Sequence, residues 1–164
     1  MLPGLAASIV FGCSAVAMAA ESAADTRAET FQDWALHCET EQECVLQQRI
    51  FVEGMGDSPL VLVAFQAIAE TPQPLTLIRV PLGVMVEPGL QVQIDAGDGR
   101  RIPFHHCRGD GCVALFPLPG ELRQALEAGR KLRISFQRID GQTIGVPVSL
   151  LGITAGLAAL ESRH

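Results

Sequence analysis

The residues with the sharpest potential chemistry in this 164-residue sequence are two cysteine pairs, Cys38 with Cys44 and Cys107 with Cys112. His105 and His106 run directly into Cys107, and His37 adjoins Cys38. Thiolates and imidazoles this close could hold zinc, which takes sulfur and nitrogen ligands in a tetrahedron. Two features weigh against that. Neighbouring histidines on an extended strand project to opposite faces, so His105 and His106 are expected to diverge. An oxidising compartment also converts the same sulfurs to disulfides. Thiol redox catalysis fits no better. It needs C-x-x-C at a helix N-terminus, where the dipole lowers the attacking thiol's pKa. Here four residues intervene between Cys107 and Cys112, and an extended run follows. Cys38, Cys44, Cys107 and Cys112 therefore read as staples, with no metal or cofactor ligand assigned. Among the possible connectivities, local pairing is expected, because each pair brackets a polar turn between extended segments.

Other chemistry finds little support. No G-x-S-x-G elbow and no H-E-x-x-H occurs, and carboxylates and serines are scattered through the loops with no pair singled out. No catalytic residue is assigned, and the chain reads as a non-enzyme. Arg108-Gly109-Asp110 lies inside the Cys107–Cys112 loop and matches an adhesive tripeptide. A short closed loop would reduce the entropy lost on docking. The alternative, which we favour, is a polar hairpin tip in which Gly109 and Gly111 supply turn conformations.

The compartment follows from the N-terminus. Residues 5–18 form an apolar core, and Ala17-Met18-Ala19 places small residues where a signal peptidase reads. Residues 1–19 are read as a signal peptide, although no Lys or Arg follows Met1. A retained anchor is disfavoured by that small-residue end. Lipid attachment at Cys13 is disfavoured by bulky Phe11 and by the apolar run that continues past it. Loss of Cys13 leaves an even set of cysteines. Residues 20–30 are expected to be a flexible tether, and residues 31–164 a single disulfide-bonded domain rich in β-structure. The formal charge of −6 and the scattered arginines argue against nucleic acid as a partner.

Hairpins are the clearest structural signals. Leu90, Val92 and Ile94 alternate with glutamines before an Asp/Gly-rich turn at 95–99 that leads to Ile102 and Phe104. Leu132, Ile134 and Phe136 alternate in the same way, Asp140-Gly141 turns the chain, and Ile144, Val146 and Val148 return. The apolar run 60–68 and the segment around Leu75, Leu77 and Val80 add strands. Residues 119–128 predict one helix, and 150–160 a second short one. Residues 141–160 carry no charge and include Gly152-x-x-x-Gly156, which could suit a membrane span. Alternation at 144, 146 and 148 and Pro147 favour a strand followed by a helix. The fold expected is mainly β, a two-layer antiparallel sandwich or partly closed barrel with one or two short helices. Trp34 is expected in its core against Ile134 or Phe136.

Several blocks resemble the invasion-associated locus B family of Gram-negative envelope proteins. They are the leader, Asp33-Trp34 before Cys38, LIRVPLGVMVEPGLQVQID (77–95), PFHHCRGDGCVALFPL (103–118), SFQ (135–137) and PVSLLGITAGLAAL (147–160). The resemblance implies an exported, disulfide-bonded, β-rich protein linked in some members to host-cell entry. It carries over four structural cysteines and no catalytic residues. The expectation is a noncatalytic binding or assembly protein, periplasmic, on the outer envelope or secreted, without a transmembrane span once the signal is removed. Its partner would be an envelope or host-cell protein. The alternative is a periplasmic enzyme or redox accessory, which a pocket with convergent polar groups and perturbed acids would favour. A flat surface with one apolar patch would favour the binding protein.

Overall fold

The computed structural model describes residues 27–40, 43–54, 56–69 and 71–163. The expected signal peptide and most of the expected tether lie outside these residues. Among the described residues, period-two patterning produces eleven strands in two antiparallel sheets. The large sheet has the order β1-β2-β3-β4-β5-β9-β8. Its strands are β1 (Arg27–Phe31), β2 (Trp34–Cys38), β3 (Cys44–Ile50), β4 (Val61–Gln66), β5 (Leu75–Val80), β8 (His106–Arg108) and β9 (Gly111–Pro117). The small sheet runs β11-β10-β6-β7, from β6 (Leu90–Ile94), β7 (Arg100–Ile102), β10 (Lys131–Gln137) and β11 (Thr143–Ser149). The two sheets face one another as a sandwich and do not close into a barrel.

Alternation decides which side chains enter the core. Trp34, Leu36, Leu46, Val63, Phe65 and Ile78 are buried on the large sheet, and Leu90, Val92, Leu132, Ile134, Phe136, Val146 and Val148 on the small one. The sequence reading placed Trp34 against Ile134 or Phe136. The ring set against it is Phe65, with centroids 5.5 Å apart and planes inclined by 43°. The indole is oriented by its Nε1–H, which donates to the Ser149 carbonyl at 3.1 Å.

The chain is paired earlier than expected. Residues 27–30, assigned to the tether, are part of β1, which runs antiparallel to β2 from Arg27↔Cys38 to Phe31↔Trp34. Small and polar residues suit this edge because it needs backbone partners more than apolar side chains.

Two helices complete the layers. α1 (Gly120–Ala128) starts after Pro119 and buries Leu126, with Gly129 N–H returning to the Ala125 carbonyl. α2 (Ile153–Ser162) buries Ile153, Gly156, Leu157 and Leu160 against β1, β2 and β3. The Gly152-x-x-x-Gly156 spacing is explained by this seat. Gly152 has φ +90°, and a Cβ there would lie 2.0 Å from the Phe31 carbonyl oxygen. A Cβ on Gly156 would lie 2.7 Å from Leu46 Cδ1. Among the described residues no helix is long and apolar enough to cross a membrane.

Candidate functional site

The β8–β9 hairpin gathers most of the residues singled out by type. Its register pairs His106 with Val113, Cys107 with Cys112 and Arg108 with Gly111, leaving Gly109 and Asp110 as the turn. Gly111 has φ +140°, and a Cβ there would lie 2.3 Å from the Val80 carbonyl oxygen, so β9 can begin flush against β5 only as glycine. Arg79 on β5 donates through Nη1 to the Asp110 carboxylate at 2.8 Å. That hydrogen bond, helped by one from the Asp110 backbone, holds the carboxyl below its ordinary range despite some desolvation. Asp110 of the Arg-Gly-Asp tripeptide is thus committed to the neighbouring strand, while Arg108 points into water.

Both cysteine pairs occupy directly opposed positions on antiparallel strands, Cys38↔Cys44 and Cys107↔Cys112. Their sulfurs are at disulfide distance, 2.07 and 2.00 Å respectively. Cys38, Cys44 and Cys112 are buried, whereas Cys107 is exposed.

The histidines do not diverge as expected. Nδ1 of His105 and Nδ1 of His106 are 2.9 Å apart, with the rings edge to face. β8 begins only at His106, so His105 lies outside the pleat that would have separated the rings. One nitrogen donates and the other accepts. His37 sits on β2, near the opposite edge of the sheet. Among the described residues no three histidine, cysteine or acidic side chains gather where a metal could bind.

The same end of the sandwich carries a feature that motif reading missed. Three connections emerge here beside the Gly109-Asp110 turn: 51–60 after β3, 81–89 after β5 and 138–142 after β10. Of the seven large apolar side chains exposed among the described residues, six lie on them: Phe51, Val52, Leu82, Met85, Val86 and Ile139. Two of the connections are tied together. Met85 N–H donates to the Gln137 carbonyl at 2.8 Å, Ile139 N–H donates to the Gly83 carbonyl at 2.9 Å, and Val84 bridges Arg138. Buried Val84 anchors the strap, so Leu82, Met85 and Val86 are held outward beside Ile139. The signal was legible as apolar residues interleaved with Pro and Gly in VPLGVMVEPG, where a turn ordinarily carries polar ones.

A concavity of about 330 Å³ borders this end, between Pro88, Gly89, Arg101, Phe136 and Gln137. An apolar concavity of about 490 Å³ opens at the β4–β5 turn, lined by Ile68, Pro72, Leu75 and Pro117. Another, of about 250 Å³, lies between α1 and β6–β7, where Arg100 approaches Glu121 at 3.8 Å. Arg123 joins the two helices by pairing with Glu161 on α2 and with Glu127 on α1. The Glu161 hydrogen bond, and then that of Glu127, raise its pKa against the opposing cost of burial.

The sequence profile of the Invasion associated locus B (IalB) protein family matches residues 34–161, from β2 to the end of α2. The chain belongs to the invasion-associated locus B family. Two invasion protein B homologs of Brucella abortus, from strain 2308 and from biovar 1 strain 9-941, are each 25% identical over 153 residues. In both cases the alignment covers 91% of this chain and 87% of the relative. The crystal structure of invasion associated protein b from Bartonella henselae superposes with a TM-score of 0.73, covering 83% of this chain and 96% of that one. At 19% identity this likeness speaks to the sandwich fold of the invasion-associated locus B chain, not to its role.

Proposed function

We propose that this invasion-associated locus B protein is an exported, noncatalytic binding or assembly component of the cell envelope. Its partner would be an envelope or host-cell protein, and it would reside in the periplasm, on the outer envelope or outside the cell. The observation that carries this reading is what two of the ion pairs among the described residues join. Asp110 and Arg123 are both occupied by surface ion pairs, one clamping a hairpin to β5 and the other joining the helices. The fold thus uses its perturbed charges as fasteners, and concentrates its exposed apolar side chains at one end. Cysteine pairs at disulfide distance on two hairpins, downstream of an apolar leader, support export into an oxidising compartment.

Crosslinking in intact envelopes, followed by purification of the tagged chain, tests the reading. A discrete protein partner, recovered from the periplasmic or outer-envelope fraction, is the expected result. Recovery of the chain in the cytoplasm with reduced cysteines would overturn the export half. Turnover of a small molecule by the purified protein would overturn the noncatalytic half.

A further inference from the structure

We infer that the end of the sandwich carrying Phe51, Val52, Leu82, Met85, Val86 and Ile139 docks on a lipid bilayer by inserting these side chains into its interface. The inference rests on the envelope reading and assigns its apolar end to lipid.

Placement is the first argument. These side chains project from the tips of connections at one end of the molecule, with Ile139 71% exposed and Leu82 and Val86 more than half exposed. Apolar tips suit insertion into a yielding interface, and aromatic Phe51 suits the headgroup level. The hydrogen bonds between 83–85 and 137–139 fix two of the connections against each other, so little ordering is left to be done on docking.

Charge is the second, independent argument. Consider the segments 49–60, 79–89, 108–111 and 137–142, together with Arg101, whose guanidinium donates to the Glu87 carbonyl. There arginines and carboxylates are equal in number, so the formal −6 of the chain resides elsewhere. An acidic body meets an anionic membrane with less repulsion at an end where its formal charges balance, as they do here. Two copies meeting end to end would gain the same apolar contact but would bring two acidic bodies together. Arg49 and Arg108 are exposed on the margin and form no ion pair among the described residues. Their planar guanidinium groups suit lipid phosphates.

The test places a reporter at each end of the full chain. The one native tryptophan, Trp34, is fully buried and supplies a constant background. Ile139→Trp puts a second indole at the proposed end, and Gln124→Trp puts one on the exposed face of α1, whose start is tied through Leu118 to the β4–β5 turn at the opposite end of the large sheet. Both variants share residues 1–20, so any contribution of the leader is common to them. With phosphatidylethanolamine–phosphatidylglycerol vesicles carrying brominated acyl chains, emission added by Ile139→Trp should shift to the blue. It should also be quenched at least about threefold more strongly than that of Gln124→Trp, as expected of a residue lying in the interface. Equal quenching at both sites, or none at Ile139→Trp, would overturn the inference. So would a blue shift that grows with protein concentration in the absence of lipid, which would mean that a second copy covers this end. The crosslinking experiment reads a protein partner and this one reads depth in lipid, so the two proposals can fail separately.

Discussion

The side-chain amide of Gln48 pairs with the backbone of Ser149 in both directions. Its Oε1 accepts from the Ser149 N–H at 3.1 Å, and its Nε2 donates to the Ser149 carbonyl at 3.3 Å. The same Nε2 reaches the Asp33 carbonyl at 2.8 Å. Gln48 lies on β3 of the large sheet and Ser149 closes β11, an edge of the small sheet. A buried glutamine thus supplies one rung of ladder between two sheets that pair nowhere else among the described strands. Trp34 reinforces it from β2 by donating to the same carbonyl.

Gln48→Leu should therefore destabilise the fold by about 1–2 kcal/mol, since the half-buried Ser149 N–H is left without its acceptor. Gln48→Glu keeps an acceptor but sets a carboxylate against two carbonyls, so its folded pKa is raised. A group raised in this way is most favourable below its unfolded pKa, and the variant should regain stability as pH falls. Urea denaturation at several pH values reads both effects. A change under about 0.5 kcal/mol for the leucine variant would show that the rung is idle.

Gly152→Ala should cost about 1–3 kcal/mol or more, because it adds a left-handed strain to a clash with the Phe31 carbonyl. Thr154→Ala, on the exposed side of the same helix, should stay within about 0.5 kcal/mol of the wild type. Thermal unfolding of the two variants side by side separates the seat of α2 from its helix propensity.

Thr76 is 3% exposed on β5, and its Oγ1 finds no hydrogen-bond partner among the described residues. Its neighbours Val63, Phe65 and Ile78 are apolar. Thr76→Val, close in shape, should stabilise the protein by about 1 kcal/mol. A loss of stability in calorimetry would show that the hydroxyl is satisfied after all.

Arg79→Met should move the Asp110 titration up toward the ordinary carboxylate value of 3.8. The sign follows from the depressed folded pKa. The ion pair contributes above the unfolded pKa and is lost as pH falls through the folded one, so its window lies below about pH 4. A carboxyl ¹³C NMR titration of Asp110 in both proteins would show it. An unchanged midpoint would mean that Arg79 does not hold the turn.

The cysteine pairs should separate by access. Cys107 is exposed while Cys38 and Cys44 are both buried, so mild thiol treatment should open Cys107–Cys112 first. Alkylation and non-reducing peptide mapping read the order and the connectivity together. Each pair closes a short loop, so losing one should cost about 2 kcal/mol by chain entropy. Peptides joining Cys38 or Cys44 to the second pair would refute the local connectivity.

The sandwich was legible because period-two alternation is a local property. Leu132, Ile134 and Phe136 face inward once the segment is extended, whatever lies opposite. The Asp140-Gly141 turn and the helix after Pro119 were legible for the same reason, since propensity and positive φ act within a few residues. Long-range partners were not legible. That Trp34 meets Phe65, that Gln48 pairs with Ser149 and that Arg79 takes Asp110 depends on which strands become neighbours. Pairing energy is nearly indifferent to sequence separation, so one chain read alone does not rank such partners. The histidine contact was misread because the pleat was assumed to include His105, and one residue of register reverses a face. The apolar end is the clearest case. Phe51, Leu82, Met85 and Ile139 are spread over three separate loops between residues 51 and 139. Only the stacking order of the strands brings those loops to one end of the molecule.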